Sequence, residues 1–520
     1  MAVVQLFNLG SQGILKDIPG HLLPPEAWTD GNNMQMIDGY VRRGLGYQAI
    51  FGTPSVAPGF IFYVPAATED FWIYCDLVSA WVFDGVSHTE ITRAAGAYTA
   101  NNYRDWNSCI LGGVPILNNG VDVPQYWPTL TTATDLANLP NWPATLRAKV
   151  IRNFGKFLVA LNLNDNGSLL PHAIQWSHQA DPGTVPSSWD NTDATVDAGR
   201  THLTDIQGGE IVDAYLLGNY LVIYKQRSTH LLRFVGGNDI LAPELLFNSG
   251  LLCARGAAAI DAGFKHFCVG PDDIFTHSGT KQIEYPLNEK DRRFFYSDLD
   301  GTNFANLFVK DNPTKEEVWV CYPSSGATYP NKALVYNYKT KAVGFREFSG
   351  SFADFGSVPV SVGETWDASS GSWDSDVGPW NIPVTRYMVA GDPENTMIWA
   401  QELGQAFGSV PGVSFLQRLG LAIVGRDRQG QPKLDYQSRR LVTRIWPKIR
   451  GAAQVQVRIG MQEELDGEIT WLPYKVFLPL QKYLDFEISG RMPAVEFLCS
   501  EANNWQLEGY DIDVEVLGVL

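Results

Sequence analysis

Apolar and polar positions alternate in one repeated theme between about Gly59 and Gln401. Two apolar, aromatic-rich runs are joined by a short polar turn, and the second run ends in a turn that contains glycine. Each copy indicates a hairpin of two strands of roughly 4–8 residues. The clearest copies are Phe71–Gly85, Asn219–Gly237 and Lys265–Gly279, with a looser one at Glu317–Tyr338.

The spacing of these hairpins favours a β-propeller. Copies recur at roughly 40–60 residues, as four-stranded propeller blades do. Because the period is irregular, we expect an all-β fold with an irregular β-propeller that carries insertions, or alternatively a set of stacked sandwiches. Long loops rich in small and polar residues are expected at 167–200 and 362–383. Short helices are expected near Asn288–Arg293 and Ala257–Ala259.

The pattern changes after residue 403. Alternation is clean in AQVQVRIG and YDIDVEVLG, which is typical of strands with one wet face. We therefore predict a C-terminal β-sandwich domain over 403–520, after a propeller over 56–402 and an N-terminal arm over 1–55. The strands expected in this domain are Arg440–Ile449, Gln454–Met461, Ile469–Phe477, Tyr483–Ser489, Ala494–Cys499 and Leu507–Leu517.

Composition supports an ordered, aromatic-rich protein. Of 520 residues, 45% are apolar, 12% are aromatic and 18% are charged, with a net charge of −17. That charge argues against a surface that wraps nucleic acid. We find no apolar run of about 18 residues and no signal-peptide pattern, so a cytoplasmic origin without a membrane span is expected. The six scattered cysteines are expected to be reduced and buried.

No motif in the chain predicts catalysis, a cofactor or a metal. P-loop, H-E-x-x-H and G-x-S-x-G patterns are absent from the sequence. Asn162–Gly167 resembles half a calcium loop, but Ala173 stands where the bidentate Glu is needed, so a hairpin turn is expected. The pairs Asp272-Asp273 and Asp298/Asp300 leave a glycosidase as the open alternative. We expect that the protein is not an enzyme.

Charge is divided along the C-terminal domain. Residues 418–458 contain ten basic and two acidic residues, whereas 459–520 contain three basic and twelve acidic ones. The charges either intermix once the strands pair, or form opposite edges that join copies head to tail into a ring. The candidate assembly residues are Arg418, Arg426, Arg428, Arg439, Arg440, Arg444, Asp511, Asp513 and Glu515.

A tryptophan-rich segment offers a second candidate contact. Trp366, Trp373 and Trp380 lie among Gly, Ser and Asp residues in the loop at 362–383. Exposed aromatic side chains pack well against partner proteins, although they also fill gaps between blades of one chain. We favour contact within an assembly.

Both ends of the chain carry a family pattern. The opening combines Leu22–Pro25, Ala27–Gly31, Asp38-Gly39, Arg42-Arg43 and Gly46-Tyr47. With the closing residues 490–495 and 505–512, it resembles the tail nozzle proteins of short-tailed bacteriophages, also called tail tubular B or packaged-DNA stabilisation proteins.

This resemblance implies a structural virion protein of the viral tail. The family's subunits form a hexameric ring that joins a tail adaptor, retains packaged DNA and forms the channel for ejection. The arm and the C-terminal sandwich would form the platform that docks on the adaptor, and a tail fibre or spike is a further possible partner. DNA would pass without sequence-specific binding, and the ring would assemble in the host cytoplasm. The alternatives are a propeller that binds or hydrolyses host glycans and an intracellular scaffold.

Overall fold

The computed structural model describes residues 2–37, 39–67, 69–237, 240–358, 386–426, 432–451, 453–465, 467–478 and 480–519. These residues form an all-β, propeller-like fold of small antiparallel sheets, which confirms the predicted fold class. By contacts the chain divides into two compact units. The first contains 1–48, 246–349 and 402–520, and the second contains 49–245 and 350–401. The segment 246–349, which the sequence assigns to the propeller, thus joins the unit that contains both chain ends.

The N-terminal arm forms short strands linked by turns. They are β1 (Ala2–Phe7), β2 (Asp30–Asn32), β3 (Met34–Ile37), β4 (Tyr40–Arg43) and β5 (Tyr47–Ala49), with a 3-10 turn at Gly20–Leu22.

The next strands follow one another along the chain as antiparallel neighbours, in the order expected of propeller blades. The first four sheets are β6 (Phe60–Val64), β7 (Phe71–Cys75), β8 (Ala80–Phe83) and β9 (His88–Glu90); β10 (Asn107–Leu111), β11 (Val114–Asn118), β12 (Gln125–Tyr126) and β13 (Ala137–Asn138); β14 (Leu146–Phe154), β15 (Phe157–Asp165), β16 (Ser168–Trp176) and β17 (Gly199–His202); and β18 (Ile211–Leu217), β19 (Tyr220–Lys225), β20 (Thr229–Phe234) and β21 (Leu241–Phe247).

Three further sheets complete this series. They contain β22 (Ala257–Ile260), β23 (Lys265–Val269) and β24 (Ile274–His277); β25 (Phe308–Asn312), β26 (Glu317–Tyr322), β27 (Lys332–Asn337) and β28 (Val343–Glu347); and β29 (Phe352–Ser357), β30 (Arg386–Asp392) and β31 (Met397–Gln401).

Within the second unit, successive sheets share apolar clusters. Phe71 of the β6–β9 sheet meets Trp127 beside the β10–β13 sheet, with ring centroids 5.2 Å apart. Further clusters join the second sheet to the third and the third to the fourth. The sheet β29–β31 packs back on the first one, where Trp72 lies in one cluster with Val389 and Ile398. Face-to-face packing of meander sheets is the arrangement that a propeller requires.

The C-terminal strands belong to the first unit. They are β32 (Ser414–Arg418), β33 (Ile423–Arg426), β34 (Pro432–Leu434), β35 (Ser438–Gly451), β36 (Val455–Gln462), β37 (Ile469–Trp471), β38 (Lys475–Phe477), β39 (Leu484–Gly490), β40 (Met492–Cys499) and β41 (Trp505–Val519). Five of the six predicted strands are thus present, with small shifts at their ends. The sixth, Ile469–Phe477, is divided into β37 and β38, which pair with different parts of β36.

Eight of these strands and β1–β4 of the arm make two sheets that share one core. Strands β33 and β34 form a separate two-stranded sheet, and β5 joins the sheet of β29–β31. One sheet has the order β3-β4-β41-β35-β39, with β1 also paired to β41. The other has the order β2-β32-β40-β36-β37, with β38 also paired to β36. Val457, Phe497 and Tyr510 lie in the apolar cluster between them. The arm therefore supplies strands to both sheets of the sandwich.

Of the two short helices expected from the sequence, one is present and the other is not. A helix, α1 (Glu289–Asp298), begins after Asn288, whose side chain accepts hydrogen bonds from the amides of Lys290 and Asp291. The helix expected at Ala257–Ala259 is wrong, because Ala257 and its neighbours pair with β23 as strand β22. The high helix propensity of alanine is a weak preference that tertiary pairing overrides.

The two long loops expected from composition also differ. Residues 168–176 of the first form strand β16, so only the later part of the predicted loop is irregular. Pro171 lies where the register between β15 and β16 shifts, a position that tolerates proline. The second loop, at 362–383, lies outside the described residues.

All six cysteines are free and buried, as expected. None of the helices in the described part of the chain has the length and apolar character needed to cross a membrane.

Candidate assembly surface

The solvent-facing side of one sandwich sheet contains most of the predicted assembly residues that are described. Strands β1, β41, β35 and β39 lie side by side in that order. On β41, Asp511, Asp513 and Glu515 alternate with the buried Ile512 and Val514. Because successive side chains point to opposite faces, the three carboxylates share the outer face of the sheet.

The basic and acidic segments are neighbouring strands in this sheet. Arg444 of β35 lies opposite Asp513 of β41, and Trp446 lies opposite Asp511. Lys448 Nζ is 2.8 Å from Asp511 Oδ1, while Arg444 Nε donates to Asp485 Oδ1 at 2.7 Å. The charge divided along the sequence is therefore intermixed in the fold, as the first of the two interpretations expected.

Aromatic rings lie between these charges. The Lys448 ammonium sits 3.7 Å from the centroid of the Phe7 ring, and the Arg444 guanidinium sits 4.2 Å from that of Tyr483. The hydrogen bond to Asp485 raises the pKa of Arg444, so this cation keeps its charge at every accessible pH. The result is a flat surface of paired charges and half-exposed rings, a composition suited to contact with another protein.

Two of the predicted assembly arginines lie inside the subunit instead. Arg418 is 2% exposed and Arg440 is 0% exposed. Arg418 donates to the carbonyls of Gly20 at 2.7 Å and Leu23 at 3.1 Å, and Arg440 donates to that of Leu421 at 3.1 Å. Burial lowers the pKa of Arg418 to about 10. The expectation that these two side chains form a contact edge is wrong, because each is enclosed by its own chain.

The alternation of inward and outward side chains along a strand could have predicted that both arginines lie inside the subunit. In SFLQR, Arg418 is in phase with the buried Ser414 and Leu416. In SRRLVTR, Arg440 is in phase with Ser438 and Val442, which are also buried. Strand alternation places such residues on the core face whatever their charge.

The remaining predicted residues are placed only in part. Arg439 pairs with Glu463 at 2.8 Å. Arg426 ends strand β33. Arg428, Trp366, Trp373 and Trp380 lie outside the described residues.

A buried arginine of the arm has a structural role that the sequence pattern did not reveal. Arg43 is 1% exposed, and its two terminal nitrogens donate to five backbone carbonyls. The bonds to Asn503 and Gln405 are 3.0 Å long. The other acceptors are the carbonyls of Glu501, Pro411 and Gly412. One side chain thus holds together two loops, the one between β31 and β32 and the one between β40 and β41.

Two tryptophans make further contacts that hold the sandwich together. Trp28 of the arm donates to Leu9 O at 3.0 Å and packs edge-on against Phe497, with ring centroids 6.2 Å apart. Trp505 of β41 donates to the Ser414 hydroxyl at 3.0 Å. Gly46 lies so close to the carbonyl of Ala406 that an added Cβ would overlap it. Trp28, Arg43, Gly46 and Trp505 all belong to the segments that carry the family resemblance.

The carboxylates considered for hydrolysis have structural partners. Asp273 pairs with Arg292, and Asp298 receives hydrogen bonds from Tyr322 and Lys332. Asp300 accepts three backbone amides in a turn, which lowers its pKa. In the described residues, no three His, Cys, Asp or Glu side chains come together as metal ligands.

Two further sequence features are turns or core. Asn166 and Gly167 both have positive φ and form the turn of the β15–β16 hairpin, as expected for Asn-Gly. The Trp189 side chain, part of a WD dipeptide, is buried against Trp142 with ring centroids 4.6 Å apart.

No protein-family model matches the chain, and no curated protein matches it either. Solved structures align with it only at low similarity. The AfRom2 CNH domain is 8% identical over 60% of this chain and 91% of that one, with a TM-score of 0.34. A functionally unknown protein from Desulfotomaculum acetoxidans DSM 771 is 9% identical over 59% of this chain and 95% of that one, with a TM-score of 0.33.

PorZ, a surface component of the type-IX secretion system of Porphyromonas gingivalis, is also 9% identical to this chain. The alignment covers 58% of this chain and 34% of PorZ, with a TM-score of 0.32. These three scores are too low to carry an argument about the function of this protein.

Proposed function

We propose that this chain is a tail nozzle subunit of a short-tailed bacteriophage. In this role it forms a distal ring that retains packaged DNA and provides the channel for its ejection. The ring would be hexameric, as in the family that the sequence resembles, and would dock on a tail adaptor through the sandwich.

One observation supports this proposal best: the two sequence segments that carry the resemblance meet in a single structure. Thr29 and its neighbours pair β2 with β32, while Val41 of β4 pairs with Leu507 of β41. Arg43 and Trp28 then fix this junction to the loops of the C-terminal region. The residues that carry the family resemblance hold the arm and the C-terminal region together and include no catalytic motif. Such a pattern suits a structural virion protein.

The electrostatics suit passage of DNA. The chain carries a net charge of −17, and the cations of the β35–β41 face are paired with carboxylates. Tight DNA binding requires unpaired Lys and Arg that displace counterions from phosphates. A face whose cations are already paired in this way would let DNA slide past it.

Imaging of the purified chain tests the proposal. We would examine it by mass photometry and negative-stain microscopy, alone and with the adaptor ring encoded by the same phage. Ring particles with a central channel are expected with the adaptor present. A chain that stays monomeric and ignores the adaptor ring contradicts the proposal.

A glycan screen covers the main alternative. If the chain fails to bind the adaptor but binds an immobilised host polysaccharide, the propeller would be a glycan-binding protein or glycosidase instead. No contact among the described residues favours that function at present, so it stays a prediction from sequence.

A further inference from the structure

The sequence contains two Asn-Gly dipeptides, Asn119-Gly120 and Asn166-Gly167. An asparagine followed by glycine is prone to lose its side-chain nitrogen, because glycine has no Cβ to obstruct attack by its main-chain nitrogen on the asparagine side chain. The fold places the two dipeptides in opposite surroundings. Whether each one can react therefore depends on contacts that the structure defines.

Asn166 and Gly167 are exposed and free of competing contacts. They form the turn between β15 and β16. Among the described residues, no group accepts a hydrogen bond from the Gly167 amide, and none bonds to the Asn166 side chain. A Cβ built on Gly167 would have no atom within 4 Å. Both reacting groups are thus open to solvent.

The turn lies where the hairpin can open locally. Asp165 and Ser168 form its last strand pair, and Leu169 is 75% exposed, so little apolar burial holds this end closed. Hairpin ends of this kind open far more often than a whole domain unfolds. A brief opening lets Asn166 leave its positive φ of 52° and bring its Cγ to the Gly167 nitrogen.

Asn119 is held in place by its own loop. It is 2% exposed, and its Nδ2 donates to Asp122 Oδ2 at 2.8 Å. Its Oδ1 accepts the amides of Val121 at 3.1 Å and Asp122 at 2.8 Å. The side chain cannot turn toward the Gly120 nitrogen without breaking these three hydrogen bonds, so the fold protects Asn119 from the same reaction.

We propose that Asn166 is a site of spontaneous deamidation, with water as the only co-reactant. The Gly167 nitrogen gives its proton to solvent and attacks Asn166 Cγ. The Cγ–Nδ2 bond then breaks, and the side-chain nitrogen takes up a proton and leaves as ammonia. Water adds to either carbonyl carbon of the resulting succinimide ring and opens it, which yields aspartate or isoaspartate at position 166. No group is oxidised or reduced.

Either product alters this end of the hairpin. A new carboxylate appears beside Asp165, which already pairs with Arg200 at 2.9 Å. In the isoaspartyl product the backbone is also longer by a methylene group, which the tight turn cannot hold in its present geometry. The hairpin end should therefore loosen as the protein ages, and this change is independent of the nozzle role.

Peptide mapping by mass spectrometry tests the proposal. The full-length folded chain would be aged in buffer and digested with trypsin, and fragmentation would measure deamidation at each asparagine and distinguish isoaspartate from aspartate. Asn119 is the internal control. Asn166 should convert roughly tenfold faster or more, since loss of even one hydrogen bond at Asn119 corresponds to about that factor in rate. The rate at Asn166 should rise with pH, because the attacking nitrogen must lose its proton.

The same chain in guanidinium chloride separates the effect of sequence from that of the fold. Once the chain is unfolded, both Asn-Gly dipeptides should react at similar rates. A folded chain in which Asn166 reacts no faster than Asn119 overturns the proposal. A folded chain that stays unmodified at Asn166 after the unfolded chain has converted overturns it as well.

Two variants check the assignment to Asn166. In Asn166→Gln the side chain would have to close a larger ring, which is slower, so the mass gain of the tryptic peptide 157–200 should disappear. Asn191 is exposed in the same peptide but is followed by Thr192, and Asn191→Gln should leave the mass gain unchanged. A mass gain of wild-type size in Asn166→Gln would place the reaction at another asparagine and overturn the assignment.

Discussion

Two regions of this protein satisfy buried loop carbonyls with different side chains. In the second unit the donors are indole N–H groups: Trp72, Trp106 and Trp127 each donate to one backbone carbonyl, at 2.8–2.9 Å. In the sandwich of the first unit Trp28 donates in the same way to Leu9 O, but guanidinium groups serve several carbonyls each, and Arg43 alone serves five. The sandwich thus differs from the propeller-like sheets in having the buried arginines Arg43, Arg418 and Arg440, each of which serves several carbonyls.

The difference follows from the chain segments to be joined. Each tryptophan lies beside one loop of its own or an adjacent sheet, so a single donor on a large apolar body is sufficient. At the sandwich, the loops that hold Gln405, Pro411 and Glu501 converge on one point, where several carbonyls need donors at once. A planar guanidinium presents five N–H groups, which lysine does not. The cost is a buried charge, and burial lowers the pKa of Arg43 accordingly.

Among the substitutions that test this comparison, that of Arg43 should have the largest effect on the free energy of unfolding. Replacing it by Met should leave the five carbonyls without this donor and destabilise folding by on the order of 3–5 kcal/mol. Urea unfolding followed by tryptophan fluorescence would measure the change. Arg42→Met is the matched control, because Arg42 is only half-buried and donates to one acceptor, Gln35 Oε1. Equal effects of the two substitutions would contradict the role given to Arg43.

Buried ionisable groups also bring pH dependence to the first unit. Burial lowers the pKa of His277 to about 3, and its Nδ1 accepts the amide of Gly279 at 3.2 Å, which requires an unprotonated nitrogen. The unfolded chain gains a proton near pH 6.5 and the folded chain only near pH 3. The contribution of His277 to stability is therefore fully present above pH 6.5 and falls as pH drops, by about 3 kcal/mol at pH 4.

His277→Gln should remove the contribution of His277, so the variant should gain stability relative to the wild-type protein as pH falls from 7.5 to 4. The measurement is the free energy of unfolding of both proteins between pH 4 and pH 7.5. Asp291 and Asp311 act in the opposite direction, because burial raises the pKa of each to about 7 and their cost appears only as pH rises. A wild-type and variant pair with parallel pH profiles would contradict the assignment to His277.

Much of the fold was predictable because strand alternation and turn residues are local signals. The strands of the sandwich, the helix after Asn288 and the Asn166-Gly167 turn are all signalled within a few residues. The closure of the sandwich was not predictable, because Arg43 and its acceptor at Asn503 are 460 residues apart in sequence. The same limit applies to the charged surface, where pairing of β35 with β41 decides that Arg444 meets Asp513. The order of charged residues along the chain does not reveal which of them become neighbours in the folded sheet.

A tryptophan of the second unit should show a smaller effect than Arg43. Trp106→Phe removes the N–H that donates to Asp76 O at 2.9 Å and leaves that carbonyl without it. The expected loss is about 1–2 kcal/mol, from one neutral hydrogen bond and a slightly smaller ring. Trp81→Phe is the control, since Trp81 is only half-buried and donates to the Ser79 hydroxyl. A loss at Trp106 as large as that at Arg43 would erase the distinction between the two kinds of closure.

The smallest effect is expected on the outer face of the sandwich. Arg444→Gln removes the ion pair with Asp485 and the stacking on Tyr483, both of which are exposed to solvent. Exposed pairs contribute about 0–1 kcal/mol, so thermal unfolding should shift by only a few degrees or less. Since the charges of β35 and β41 neutralise each other within one subunit, molar salt should also leave any ring intact, as mass photometry at low and high salt would show. Dissociation of the ring by salt would mean that cations and carboxylates pair between copies as well as within them.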